Sequence, residues 1–202
     1  DLFISDKYNK WITNIYSRAR VHLLRANHDS ILTTSKTILK DDPTLNCRIN
    51  GLQKYSPKRF VIDKNLSIPM TSKIIRTANK ISTYVFYNLI DKNKLKKLSQ
   101  VKVKTIRIDL KNKHLDFNKI ILFLRKKGFY RVFIEAGIKF NNFLLDNYYI
   151  NDFYHFYSDQ LFGNRGFHNA KFFFNKMNKI KRNKREIEIN LFQDKLLKYS
   201  LK

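Results

Sequence analysis

The chain is poor in the residues that lock small proteins together or mark a common chemistry. One cysteine, Cys47, stands among 202 residues, which excludes a disulfide within the chain and every zinc site that needs two or more thiolates. A reducing compartment, the cytoplasm, is the expectation that follows. Glycine (5) and proline (3) are scarce, and no GxGxxG loop occurs, so a nicotinamide enzyme of the ordinary doubly wound kind is not expected. No apolar run approaches the roughly 18 residues of a membrane-spanning helix, since ILFLRKKGF is broken by charge almost at once. The start, DLFISDKYNKW, lacks the basic-then-apolar order of a secretory signal. It also lacks an initiator methionine, so the chain is expected to be part of a longer polypeptide.

Acids are few as well, 16 against 41 Lys and Arg, for a formal net charge of +25. Such a charge suits a polyanionic partner. The lysines are nevertheless scattered along the whole chain among abundant Asn, Ile, Phe and Tyr, whereas a binding stripe would concentrate its charge on one segment. Compositional bias is the better account, and neither a specific nucleic acid nor a membrane is expected as a partner. A basic RNA-binding module without turnover stands as the alternative. It predicts lysines clustered with aromatics on one sheet face and affinity that collapses with salt.

What is present reads as an alternation of helix and strand in one domain, since 202 residues supply one full core and too little for two. Thr13 can cap a helix over 14–27 with Ile15, Ala19, Leu23 and Ala26 on its apolar face. SILTT (30–34), RFVID (59–63), TYVFY (83–87), VKTIRID (103–109), YRVFI (130–134) and DFYHFY (152–157) read as strands. SKTILKD (35–41) reads as a helical turn ended by Pro43. Asp116 is placed to cap a helix that runs to Gly128, and a second helix is entered through Gly137. The basic stretch 176–188 reads as a solvated loop, and the alternation of Ile187, Ile189 and Leu191, then Tyr199 and Leu201, reads as a terminal hairpin. The fold class expected is α/β, with a mixed, mostly parallel central sheet flanked by helices and a C-terminal β-hairpin.

Ligands of open α/β sheets sit beyond the carboxyl ends of strands, and two such places stand out. Ile134-Glu135-Ala136-Gly137 ends a strand at an acid and opens a helix at a glycine, where free N–H groups could meet a phosphate. An ordinary turn with an exposed Glu is the plainer reading of it. RANHDSILTTSKTILKDDPTLNCR (25–48) crowds Thr37, Asp41, Asp42, Pro43 and Arg48 behind a strand, and the forks of Arg25 and Arg48 match a phosphate. Its plainer reading is a helix stop with a solvated arginine.

The same run resembles the reductase domain of the bifunctional riboflavin-biosynthesis deaminase/reductase of bacteria, with the pattern LRA-x-x-DAIL-x-G-x-x-T-x-L-x-DDP-x-L-x-x-R. Trp11-Ile12-Thr13, RFVIDKNLSIP and FIEAGIKFNNFLLDNYYINDFYHFYSDQLFG are similar to further blocks of that family, in its order. The resemblance implies a dihydrofolate-reductase-like fold and NADPH-dependent reduction of 5-amino-6-(5-phosphoribosylamino)uracil to its ribitylamino counterpart. It implies NADPH contacts from Trp11, Thr37, Asp41, Lys64 and the turn Gly137, Ile138, Lys139, Phe140, Asn141, Asn142 and Phe143. It implies contacts to this small phosphorylated pyrimidine from Asn9, Arg25, Leu45, Arg48 and Glu135. A homodimer, a family first strand just ahead of Asp1 and an N-terminal zinc deaminase domain are implied too. The deaminase signature, H-x-E with P-C-x-x-C, cannot come from a chain whose only thiol is Cys47. Ala136, Lys139, Phe140, Lys64 and Asn9 depart from the family's usual residues. No proton donor is identified, and no metal is implied for these residues. A dihydrofolate-reductase relative with another substrate is a second alternative, which would have no need of Arg25 and Arg48.

Overall fold

The computed structural model describes residues 3–6, 11–160, 166–180 and 183–201, and the chain divides into two compact units, His22–Gly137 and Asp1–Val21 with Ile138–Lys202. After β1 (Phe3–Asp6) and α1 (Ile15–Ala26) come β2 (Ser30–Thr34), α2 (Ser35–Asp41), β3 (Lys58–Ile62), α3 (Lys73–Arg76) and β4 (Thr83–Tyr87). These are followed by α4 (Lys92–Gln100), β5 (Lys104–Arg107), the short β6 (Leu110–Lys111) and β7 (His114–Leu115), α5 (Phe117–Lys126) and β8 (Val132–Ile134). The last elements are α6 (Ile138–Asp146), β9 (Asp152–Tyr157), β10 (Gly166–Asn169), α7 (Lys171–Lys179), β11 (Asn183–Glu186) and β12 (Lys195–Ser200).

The His22–Gly137 unit is built on a five-stranded sheet of order β5-β4-β3-β2-β8, every pair parallel. Parallel strands are covered on both faces, and SILTT and RFVI are buried almost throughout. Alternate residues serve opposite faces. Ile31, Val61 and Val85 join Ile38, Leu45, Ile74 and Leu98 in one cluster. Phe60, Tyr84 and Phe86 face the other way, Phe60 stacking on both of the others, with Phe123 and Phe129 set edge-on against them. Helix α5 begins where expected, with the Asp116 carboxylate accepting from the Asn118 N–H. It ends at Gly128, whose φ of +81° lets the chain turn back so that the Phe129 N–H reaches the Leu124 carbonyl.

Arg59, on β3, has no exposed surface. Its guanidinium donates to the Thr83 and Thr77 hydroxyls and to the Thr44, Ile74 and Ile81 carbonyls at 2.8–3.1 Å. All five of its N–H groups are thereby used, and the loop after α2 is tied to the sheet. Asp63, equally buried, accepts from the Ser67 and Ile68 N–H groups and shapes the turn after β3.

In the other unit β9 pairs with β12 over Asp152–Tyr157, and β12 with β11, in a three-stranded antiparallel sheet; β1 pairs with β10. The terminal hairpin thus has β9 as its partner strand. Its first arm is Asn183–Glu186, ahead of the Ile187–Leu191 alternation expected to form it, and 187–194 make the connection. Residues 176–179 of the expected loop are the last turn of α7, which buries Phe173 and Met177 against Leu145 and Tyr199. The helix was hidden because its exposed lysines resemble a solvated loop.

Two features of α1 also differ from expectation. Asn14, and not Thr13, caps it, its Oδ1 accepting from the Tyr16 and Ser17 N–H groups. Ile15 and Ala19 are exposed, while Ser17, His22 and Leu24 are buried. The Ser17 hydroxyl donates to the buried Asp194 at 2.6 Å, and Asp194 also accepts from the Asn14 N–H. Apolar periodicity cannot reveal a helix face satisfied by a polar partner.

Candidate functional site

Helix α2 follows β2 without a break, so its residues stand beyond the carboxyl end of a central strand. Thr37 is half-buried, its hydroxyl 3.4 Å from that of Thr34, and Asp41 is exposed in the last turn. The paired acids divide their work. Asp42 takes a left-handed φ of 39° that ends the helix, and its carboxylate accepts from the Lys73 N–H at 2.8 Å. Asp41 remains open to a ligand. Leu45 is 1% exposed in the core cluster, so any substrate contact from it comes through its backbone, which has a φ of 49°. Lys64, in the turn after β3, donates through Nζ to the Lys113 carbonyl at 3.0 Å.

The structure gathers Arg25, Glu135 and Arg48 around a fourth residue that the motifs did not single out, His22. Arg25 forks onto Glu135, Nε to Oε1 at 2.6 Å and Nη2 to Oε2 at 2.7 Å, and its Nη1 donates to the Asn46 carbonyl at 3.0 Å. Glu135 is itself fixed just past β8, its N–H donating to the Leu32 carbonyl and its carbonyl accepting from the Thr33 hydroxyl. Arg48 is exposed, and its side chain enters no hydrogen bond or ion pair among the described residues. Burial lowers the His22 pKa below its ordinary 6.5, and the nearby Arg25 and Arg48 guanidiniums lower it further, against the raising effects of the Asn46 carbonyl and Glu135. The sequence did carry a signal for His22, since it falls three residues before Arg25 on one helix.

The remaining candidates lie around α6 and Trp11. Gly137 is exposed, and a Cβ built on it meets nothing within 4 Å. Ile138 through Phe143 form the first turns of α6, with no acid in the first turn and an exposed Lys139. Phe140 and Phe143 stack at 5.9 Å. Asn141 and Asn142 are half-buried on the same helix. A helix start without acids, an exposed cation and a glycine opening on empty space fit a dinucleotide diphosphate. Trp11 is 54% exposed with the Arg18 guanidinium 4.9 Å above its ring. It lines an open cavity of about 380 Å³ with Asn14, Arg18, Asp159 and Asp194 among others. Asn9 lies outside the described residues. No cluster of three or more His, Cys, Asp or Glu suited to a metal ion occurs among the described residues, nor is any helix there long and apolar enough to cross a membrane.

Comparison with known proteins gives a consistent picture. The family model of the RibD C-terminal domain matches residues 4–182. A riboflavin biosynthesis protein RibD of Chlamydia pneumoniae is 30% identical over 145 residues, 71% of this chain and 38% of that protein. A 5-amino-6-(5-phosphoribosylamino)uracil reductase of Buchnera aphidicola is 30% identical over 174 residues, 81% of this chain and 79% of that protein. Among solved structures, Acinetobacter baumannii RibD superimposes with a TM-score of 0.76 at 21% identity, over all of this chain and 55% of that one. The riboflavin biosynthesis reductase Rib7 of Saccharomyces cerevisiae does so with a TM-score of 0.71 at 21% identity, over all of this chain and 85% of that one. The chain spans 38% and 41% of the length of two curated RibD relatives, from C. pneumoniae and Actinobacillus pleuropneumoniae.

Proposed function

The chain belongs to the RibD C-terminal domain family, a reductase family of riboflavin biosynthesis, and on that premise we propose that it reduces 5-amino-6-(5-phosphoribosylamino)uracil to the ribitylamino product with NADPH. The observation that carries this reading is the division of labour between the two arginines. Arg25 is neutralised by its fork on Glu135, whereas Arg48, exposed beside it, holds an uncompensated positive charge. A substrate with a sugar and a phosphate needs both a rigid hydrogen-bonding pair and a free cation.

Arg48 binds the phosphate. The Arg25–Glu135 pair, anchored through Asn46, Thr33 and Leu32, presents oriented donors and acceptors to the sugar. Asp41 and Thr37 take the cofactor side, with Lys64, Trp11 and the α6 start from Gly137 to Phe143. The reduced nicotinamide, when bound, supplies the hydride. The protein residues contribute chiefly by holding the ring and the sugar carbon in register and by keeping charges satisfied while they meet. A homodimer and a preceding zinc deaminase domain belong to the same proposal.

The test is loss of NADPH absorbance with the phosphoribosylamino-uracil as substrate, beside calorimetric titration of NADPH alone. Turnover with this substrate and none with dihydrofolate is expected. Absence of both turnover and NADPH binding refutes the reading.

A further inference from the structure

His22 holds the loop from which Arg48 projects. It stands on α1, is 8% exposed, and turns its Nδ1 toward two backbone groups of that loop, the Asn46 carbonyl at 3.0 Å and the Arg48 N–H at 3.3 Å. One nitrogen cannot serve both. A protonated Nδ1 donates to the carbonyl and leaves the Arg48 N–H facing a donor, whereas a bare Nδ1 accepts from Arg48. The Asn46 carbonyl already accepts from Arg25 Nη1, and a second donor there is not needed. Arg25 Nη1 also lies 3.5 Å from the same nitrogen.

We propose that His22 is a positioning residue, neutral and protonated on Nε2, whose Nδ1 accepts from the Arg48 N–H and fixes the backbone that aims the Arg48 guanidinium at a phosphate. The charged groups facing it are Arg25 on its own helix, Arg48 on the loop and Glu135 beyond β8. Burial and the two guanidiniums together outweigh the carboxylate and the Asn46 carbonyl, which is why the neutral form prevails. Protonation would reverse the bond, moving Nδ1 onto Asn46 and releasing Arg48. For its substrate the proposal rests on the reductase reading. For the hydrogen bond it does not.

Two measurements on the intact protein test it. Nitrogen-15 spectra of the histidine rings are expected to show His22 as the Nε2–H tautomer at neutral pH. Amide exchange of Arg48, corrected for intrinsic rates, is expected to lose protection as pH falls through the His22 titration. His22→Asn, which sets a non-titrating oxygen where Nδ1 stands, keeps that protection at every pH, and His22→Ala loses it. In turnover at neutral pH, His22→Ala raises KM for the phosphorylated uracil about tenfold, with kcat and NADPH affinity little changed, and His22→Asn restores KM. A proton found on Nδ1, or Arg48 protection unaltered in His22→Ala, overturns the proposal. Protection that follows His22 in an enzyme inactive on the phosphorylated uracil keeps the bond and overturns the substrate assignment, so the two failures are told apart.

Discussion

Arg59 is a cation with no exposed surface and no acidic partner among the described residues, and replacing it tests whether its five hydrogen bonds outweigh the cost of burying its charge. Burial pulls its pKa down to about 10, so it stays protonated at neutral pH and its desolvation cost is fully present. In Arg59→Met the volume is nearly kept and all five donors are lost. The Thr77 and Thr83 hydroxyls keep partners, donating to the Lys73 and Ile81 carbonyls at 2.6 and 3.0 Å. The Thr44 carbonyl, which Arg59 reaches at 3.1 Å, loses its bond, and so does the Ile74 carbonyl, reached at 3.0 Å, since the Thr83 hydroxyl proton goes to Ile81. Two stranded acceptors and the lost charge-assisted bonds, less the desolvation regained, come to about 2–4 kcal/mol. Arg59→Ala adds the buried stem, about 2 kcal/mol more. Against a total of about 5–15 kcal/mol for a typical domain, the alanine variant is close to unfolding. Urea titration is expected to show lower midpoints at unchanged slope, in the order wild type, Met, Ala. A methionine variant as stable as wild type, or more so, refutes the reasoning, because desolvation would then have outweighed the hydrogen bonds.

Arg48→Ala is expected to raise KM for the phosphorylated uracil far more than it weakens NADPH, and equal losses in steady-state and binding assays would make Arg48 structural. Glu135→Gln leaves Arg25 without its counter-charge in a largely buried setting, with an expected cost of about 1–3 kcal/mol and a higher substrate KM. Unchanged thermal stability would show that the fork contributes nothing. His155, on β9, is held by burial, and secondarily by Lys184, at a pKa of about 4. Its ordinary value is 6.5, so the folded state binds the proton less readily than the unfolded chain. The associated stability is complete above pH 6.5 and is lost as pH falls toward 4, about 3 kcal/mol in all. His155→Phe is expected to flatten the acid limb of a stability profile over that window, and an identical limb in the variant would refute the assignment.

Much of the scaffold was legible because buried parallel strands and capped helices leave local signals. SILTT, TYVFY and DFYHFY coincide with β2, β4 and β9, and Asp116 and Gly128 bound α5. Errors fell where local pattern and burial part company. Helix α1 buries Ser17 against an acid far along the chain, and the stripe of Phe173, Met177 and Ile180 along α7 and its C-cap stands among lysines that resemble a solvated loop. The roles of the paired acids were equally hidden, since only the approach of Lys73 makes Asp42 structural and leaves Asp41 exposed.

By itself the sequence determined the class of the protein. Ordered motif blocks, buried-strand runs and turn chemistry are local properties of the chain, and they survive without coordinates. Tertiary structure alone decided that Arg25 is already engaged with Glu135 while Arg48 is free, and that His22 stands between them. Those facts depend on bringing residues 22, 25, 46, 48 and 135 within hydrogen-bonding reach. The parallel pairing of β2 with β8 sets Glu135 beside the end of α1, and the loop after α2, tied to the sheet by Arg59, brings Asn46 and Arg48 to His22.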